Sequence, residues 1–272
     1  MKVLVIGAGN MGLTYAEAVS KSDFLKNRDL MILDRSVDKT TELRKKRHFD
    51  VYDHIEKCVP KADIIFVAVK PQHSAELFDS MKEYMNNEQI IVSIMAGVTI
   101  QFIQESLGIE RVIRAMPNLP AQVGKGMTSY TASDAVSRLE LLTIENLLDT
   151  TGRSVRLDSE NDIDASTGIS GSGPAYIFYF MQSMIEAAQK MGFSDHDSKV
   201  LVGQTFEGAV ELFNQSDLTP TSWMNKVASK GGTTRAALDS MEDNNVRELI
   251  KEAAYAAFKR AVELGKENQN LS

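Results

Sequence analysis

Two short segments of this chain place glycines where bare backbone could capture an anion. The first is Gly7-Ala8-Gly9-Asn10-Met11-Gly12, the pattern Gly-x-Gly-x-x-Gly, directly after the apolar run Val3-Leu4-Val5-Ile6. In that setting the first glycine permits a tight turn and the second lets a pyrophosphate approach the backbone. The third lets the following helix pack close to the strand. The free N–H groups and positive dipole end of that helix then face the phosphates. A plain strand-to-helix turn with no ligand is the alternative. The context favours a dinucleotide, because Met11, Tyr15, Ala18 and Val19 recur at helical spacing. The second segment, Val227-Ala228-Ser229-Lys230-Gly231-Gly232-Thr233-Thr234, feeds a Gly-Gly pair into a helix whose first turn carries two hydroxyls. Exposed N–H groups, hydroxyls and dipole together make a compact carboxylate trap. Threonine capping after a flexible turn is the blander reading.

Conventional acid–base groups are sparse. His48, His54, His73 and His196 have no partner at catalytic spacing and read as solvated or capping side chains. No His/Cys cluster has metal-ligand spacing, so no metal is expected. Cys58, the single cysteine, lacks an activating motif and reads as a small packed residue. One cysteine forms no intrachain disulfide, which suits a reducing cytosol. The run Arg44-Lys45-Lys46-Arg47 reads as a solvated helix face. In the stretch 168–176, glycines allow close backbone approach and Pro174 fits a first helical turn. A ligand-lining loop and a tight helix junction stay open there. Asp34 ends the second apolar run, where an acid is expected to bond the ribose hydroxyls of NAD. Arg35 and Ser36 follow at once, a pair that suits a 2′-phosphate.

Strands and helices alternate up to about residue 158 and must position these groups. Strands are expected at 3–6, 30–34, 63–69, 89–95, 111–116, 126–131 and 154–157, and helices at 11–19, 37–47, 75–85, 99–107 and 134–148. Such alternation implies a largely parallel sheet covered on both faces. Ligands then bind beyond the carboxyl ends of the strands. Residues 7–12 and 34–36, with Ala68, Val69, Lys70, Pro71, Ala96, Gly97 and the stretch 117–120, converge there.

Beyond about residue 161 the strand signal disappears. Residues 175–191 are apolar nearly all round, as in a helix buried on most of its surface. A helix follows at 200–213, then Thr219-Pro220 as an N-cap with first-turn proline. Val246, Leu249, Ile250, Ala253, Ala257, Ala261 and Leu264 form a further amphipathic stripe. So much apolar helix cannot cover itself, which predicts an obligate dimer interface; packing on the chain's own first domain is the alternative. The expected class is α/β: a Rossmann-type doubly wound sheet in residues 1–160, then an all-α dimerisation and substrate-binding domain in 161–272.

With 272 residues the chain can bury two modest cores. Its 43% hydrophobic and 25% charged residues are ordinary for a globular protein. A net charge of -7 argues against nucleic acid or an anionic membrane as partner. No apolar run approaches the ~18 residues of a membrane helix, and the first glycine follows Met1 too closely for a signal peptide. A cytoplasmic location is expected.

Taken together, these residues resemble the pyrroline-5-carboxylate reductase family over essentially the whole chain. The likeness rests on the opening glycine motif, Val67-Ala68-Val69-Lys70-Pro71-Gln72, Val92 to Val98, and Arg114-Ala115-Met116-Pro117-Asn118. It rests most specifically on Ser170 to Tyr176 and Ser229 to Thr234. The resemblance implies NAD(P)H-dependent reduction of the cyclic imine 1-pyrroline-5-carboxylate to L-proline, the last step of proline biosynthesis, by a homodimer or an oligomer of dimers. It implies substrate contacts from Val227, Ser229, Gly231, Gly232, Thr233 and Thr234, reaching the nicotinamide of the neighbouring subunit, with Thr234 at the ring nitrogen. It also implies cofactor contacts from Gly7, Gly9, Asn10, Met11, Gly12, Asp34, Arg35, Ser36, Ala68, Val69, Lys70, Pro71, Ala96, Gly97 and Asn118. The family more often prefers NADP, and the expectation here leans slightly to NADPH over NADH.

Three residues depart from the family pattern: Lys230 stands for a usual proline, Leu119 for a threonine, and Ile55 near a usual asparagine at the adenosine end. A broader imine reductase or a β-hydroxyacid dehydrogenase shares the two-domain plan. The latter places a catalytic lysine in the first helix of its second domain, where this chain has none between Tyr176 and Lys190. A nucleotide-binding regulator without catalysis is the reading from another class.

Overall fold

A computed structural model describes residues 1–22, 24–26, 29–46 and 48–269. The strands are β1 (Val3–Ile6), β2 (Leu30–Leu33), β3 (Asp50–Tyr52), β4 (Ile64–Val67), β5 (Ile90–Ser93), β6 (Val112–Met116), β7 (Gly126–Ala132) and β8 (Gly152–Arg156). They form one sheet in the order β3-β2-β1-β4-β5-β6-β7-β8. All neighbours are parallel except β6 and β7. The order reverses between β1 and β4, so the crevice beyond their carboxyl ends is the topological switch point of a doubly wound sheet.

Helices α1 (Asn10–Lys21), α2 (Val37–Lys46), α3 (Ser74–Met81), α4 (Ile100–Leu107) and α5 (Arg138–Asp149) cover the sheet's two faces. Strand alternation divides the core between those faces. Val3, Val5, Phe66 and Val92 join Tyr15 of α1 and Ile144 and Leu148 of α5 on one side. Leu4, Ile6, Ile65 and Ile91 join Phe78 of α3 and Ile103 of α4 on the other. Every residue of β1 is buried, as its uninterrupted apolar run requires. Thr99 and Ser137 cap α4 and α5, so both helices begin at a side-chain oxygen rather than at the first residue of suitable periodicity. β3 and the parallel edge strand β8 complete the sheet; β3 lies outside the strands expected from the sequence. The expected helix at 37–47 closes at Lys46, and Arg47 lies outside the described residues.

Two more elements were not apparent from periodicity. Helix α6 (Glu160–Ser166), with Ser159 in a capping box, runs into a single π turn, Thr167–Gly171, closed by Ser172 N–H on the Thr167 carbonyl at 2.8 Å. An ion cluster fixes α6 to the sheet. Arg114 of β6 is 3% exposed and meets Glu160 at 3.1 Å, with Asp164 on its other guanidinium nitrogen. Glu160 also accepts the Ile100 N–H that opens α4, at 3.0 Å.

The remaining helices are α7 (Gly173–Lys190), α8 (Asp195–Asn214), α9 (Pro220–Val227), α10 (Thr233–Asp243) and α11 (Val246–Gln269). Packing divides the chain into residues 1–172 with 256–272, and residues 173–255. The sequence expectation divides it at 160/161, within the first turn of α6. Helix α7 has no buried residue in the single chain; Phe178 is 58% and Tyr179 76% exposed. Among the described residues no helix is long and apolar enough to cross a membrane.

Replacing Arg114 by Met leaves Glu160 and Asp164 facing each other without their cation. The variant is expected to lose about 2–4 kcal/mol of stability in urea unfolding. A loss below about 0.5 kcal/mol would place the cluster among neutral surface pairs.

Candidate active site

The turn from β1 to α1 brings backbone against backbone. Gly7 has φ +97°, and a Cβ there would lie 2.8 Å from the Ala68 carbonyl oxygen. A Cβ on Gly12 would lie 2.0 Å from the Gly7 oxygen. Gly9 differs, since nothing approaches its Cβ position within 4 Å. Its conformation is ordinary for any residue (φ -76°, ψ -176°). So two glycines serve the protein's own packing, and the middle one keeps open space above the backbone. That is the cradle a pyrophosphate requires, and these residues fit a dinucleotide.

A cavity of about 510 Å³ opens at this turn, at the switch point. Of the expected cofactor residues, Gly7, Gly9, Asp34, Arg35, Ser36, Ala68, Val69 and Lys70 line it. Ile55 and Leu77 supply apolar walls, and Lys39 and His73 also face in. Neither Lys39 nor His73 is among the site residues expected from the sequence. Lys39 lies one turn beyond Ser36 in α2, a spacing that could have revealed it. Met11 and Gly12 sit in the first turn of α1, with Gly12 buried. Asn10 lines a different cavity, with Leu13 and Gln122. Pro71 opens a short 3-10 turn after β4, and Ala96 and Gly97 follow β5; none of the three is among the cavity's lining residues.

Asp34 is 9% exposed. One carboxylate oxygen accepts Ala8 N–H at 2.8 Å and the other accepts Ser36 N–H at 2.8 Å. Asn118 is similarly occupied: its amide oxygen accepts Met127 N–H at 2.9 Å and its amide nitrogen donates to the Ser170 carbonyl at 2.9 Å. Both ends of the side chain thus tie the β6–β7 connection to the π turn. A Cβ on Gly171, in that turn, would come within 3.2 Å of the Met116 methyl. This favours a tight junction for that part of the stretch 168–176.

The second glycine segment belongs to the unit 173–255. Val227 ends α9 and is 66% exposed. Gly231 adopts φ +72° and Gly232 is the N-cap of α10, with no side-chain cap. Gly232 N–H bonds the Ser229 carbonyl at 3.1 Å, closing the turn. Thr233 and Thr234 are therefore the first residues of the helix, and neither hydroxyl supplies its N-cap. This removes the capping explanation for the paired threonines. The chain's one tryptophan, Trp223, sits one turn before Val227 in α9, with the Lys226 ammonium 4.9 Å from its ring centre.

The histidines do not form a catalytic pair. His54, 55% exposed, lies between Asp53 and Glu56, and His196 is in the first turn of α8. Burial pushes the Cys58 thiol up to about 11, so it stays protonated and inert at neutral pH.

Residues 160–264 match the family model for pyrroline-5-carboxylate reductase dimerisation, and residues 2–97 match that for NADP oxidoreductase, coenzyme F420-dependent. The chain is 33% identical to pyrroline-5-carboxylate reductase 2 of Bacillus subtilis, over 97% of this chain and 95% of that protein. The chain belongs to the pyrroline-5-carboxylate reductase family. The Pseudomonas aeruginosa reductase is 32% identical over 98% of this chain and 97% of its own. Among solved structures, the Coxiella burnetii reductase superposes with TM-score 0.91 at 29% identity, covering 97% of this chain and 98% of that one. The Plasmodium falciparum enzyme, solved with NADP bound, gives 0.87 at 29% identity with the same coverage.

The glycine roles separate by substitution. Gly9→Ala is expected to keep the wild-type melting temperature and weaken NADPH and NADH binding at least about tenfold in fluorescence titration, because its methyl enters the phosphate space. Gly12→Ala is expected to lose about 2 kcal/mol or more of stability by overpacking. Equal binding by Gly9→Ala and wild type would remove the cradle.

Proposed function

We propose that this protein reduces 1-pyrroline-5-carboxylate to L-proline with NADPH or NADH, the closing step of proline biosynthesis. The observation that carries the reading is the coexistence of an open Gly9 cradle at the switch point with the uncapped turn 231–234, in a chain related over its full length to reductases of that name. By role, residues 1–160 hold the cofactor, and residues 161–272 bind substrate and form the dimer.

The reduced nicotinamide, when bound, supplies the hydride. The chain's own residues bind and orient. Residues 7–12 receive the pyrophosphate, and Asp34, Arg35, Ser36 and the strand ends at 68–71, 96–97 and 118 shape the rest of the cofactor cleft. Val227, Ser229, Gly231, Gly232 and Thr233 hold the substrate, with first-turn N–H groups of α10 on its carboxylate. The Thr234 hydroxyl accepts the N–H of the protonated ring nitrogen. A protonated imine is already a strong electrophile at carbon. Addition of hydride there moves the C=N pair onto nitrogen, which keeps its proton, and an amine results. The protein's task is therefore alignment and exclusion of water, so no histidine is needed.

The exposed faces of α7 and α11 support a homodimer, in line with the matched dimerisation family. Ile177, Phe178, Leu249 and Ile250 are large apolar side chains left exposed on these helices, the kind of surface that a partner covers. No partner among nucleic acids or membranes is invoked, and a cytoplasmic site of action suits a biosynthetic reductase with one buried thiol.

Purified protein should oxidise NADPH or NADH on addition of pyrroline-5-carboxylate and yield proline. Thr234→Ala should lower kcat/KM about 10- to 150-fold, as for a lost hydrogen bond of roughly 1.5–3 kcal/mol to a charged group. No turnover with either cofactor would leave a nucleotide-binding regulator. In sedimentation the wild type should run as a dimer or larger, and Phe178→Glu should shift it toward monomer. A wild type that stays monomeric at all concentrations would refute the dimer.

A further inference from the structure

Residue 174 is proline, and that leaves the junction ahead of α7 short of one donor. In an uninterrupted α-helix the Ser170 carbonyl would receive the N–H of residue 174. Pro174 has none. Asn118 supplies the donor instead: its side-chain amide bonds the Ser170 carbonyl at 2.9 Å. The same side chain accepts Met127 N–H at 2.9 Å, so a residue two positions beyond β6 joins β7 to the π turn.

Other side chains of the sheet moor the same stretch. Arg114 holds Glu160 and Asp164, and the Ser129 and Ser166 hydroxyls bond each other. The Ser170 hydroxyl turns back to the Ser166 carbonyl at 3.1 Å, which leaves the Ser170 carbonyl to Asn118. Ser170 is the last of these moored residues, and α7 starts three positions later at Gly173. A π turn at such a junction is a device frequent at functional sites. Helix α7 leads into the unit 173–255, which carries the turn 231–234. Asn118 itself is not among the residues lining the cavity at the glycine turn.

We infer that Asn118 is a positioning residue for the reaction: its amide replaces the N–H that Pro174 lacks and latches the segment from which α7 departs to the ends of β6 and β7. This rests on the proposed reductase function and deepens it, because the side chain then governs turnover without touching the cofactor.

Cofactor binding, turnover and amide exchange of the full-length protein test the latch. Asn118→Asp keeps an acceptor for Met127 but sets a carboxylate oxygen against the Ser170 carbonyl. It should lower kcat at least about tenfold, the scale of one hydrogen bond lost and made repulsive. The dissociation constants of NADPH and NADH should stay within about twofold of wild type, and amides across residues 171–176 should exchange faster. Pro174→Ala restores the absent N–H. Added to Asn118→Ala, it should recover at least about threefold of the lost kcat, together with exchange protection. The inference falls if Asn118→Asp weakens cofactor binding as much as it lowers kcat, or matches wild type in kcat and exchange. It falls equally if Pro174→Ala rescues nothing. A wild type that does not turn over pyrroline-5-carboxylate would remove the function, and rescue of exchange protection would still decide the latch. Turnover without rescue would keep the function and sink the latch.

Discussion

Backbone must touch backbone where β1 hands the chain to α1, and much of the molecule is arranged to allow it. Gly12 lies so close to the Gly7 carbonyl that a single added carbon would overlap it. Gly7 in turn sits against Ala68 at the end of β4. The contact fixes the height of α1 over the sheet, which lets Tyr15 stack on Phe66 at 5.5 Å and bond Thr128 at 2.9 Å. Burial pushes the Tyr15 phenol pKa upward, so it remains protonated and neutral in that core. One close approach therefore sets a helix, a core face and the mouth of the cleft.

Much of this architecture is legible in the residues. Val3–Ile6 reads as a strand buried on both faces, and the alternation of strand and helix to about residue 158 predicts a parallel sheet. The gaps have physical causes. β3 is three residues long, at an edge, without apolar alternation, and owes its existence to pairing with β2. α6 is mostly polar, and its place is fixed by a tertiary ion cluster around Arg114 that no local pattern announces. α7 reads as buried from composition, whereas the single chain leaves it bare; composition states that a surface must be covered, not by what.

The site divides the same way. Local glycine spacing marked both candidate loops, because turn geometry is written in adjacent residues. Side-chain roles were less readable. Asp34 and Asn118 look like ligand contacts in sequence, yet their polar atoms serve the protein's own backbone. Lys39 and His73 reach the cavity through helix and loop placement alone. Where a side chain's partner lies in another loop, identity and spacing leave its role undetermined.

One feature of the helical unit has an optical consequence. Trp223 is the sole tryptophan of the chain and lies in α9, the helix that leads directly into residues 227–234. The Lys226 ammonium near its ring places a charge beside the chromophore. Indole emission responds to such fields, so a shift of this turn would change colour and intensity with no second indole to mask it. The turn that follows α9 thus comes with an intrinsic fluorophore, readable without label or substitution.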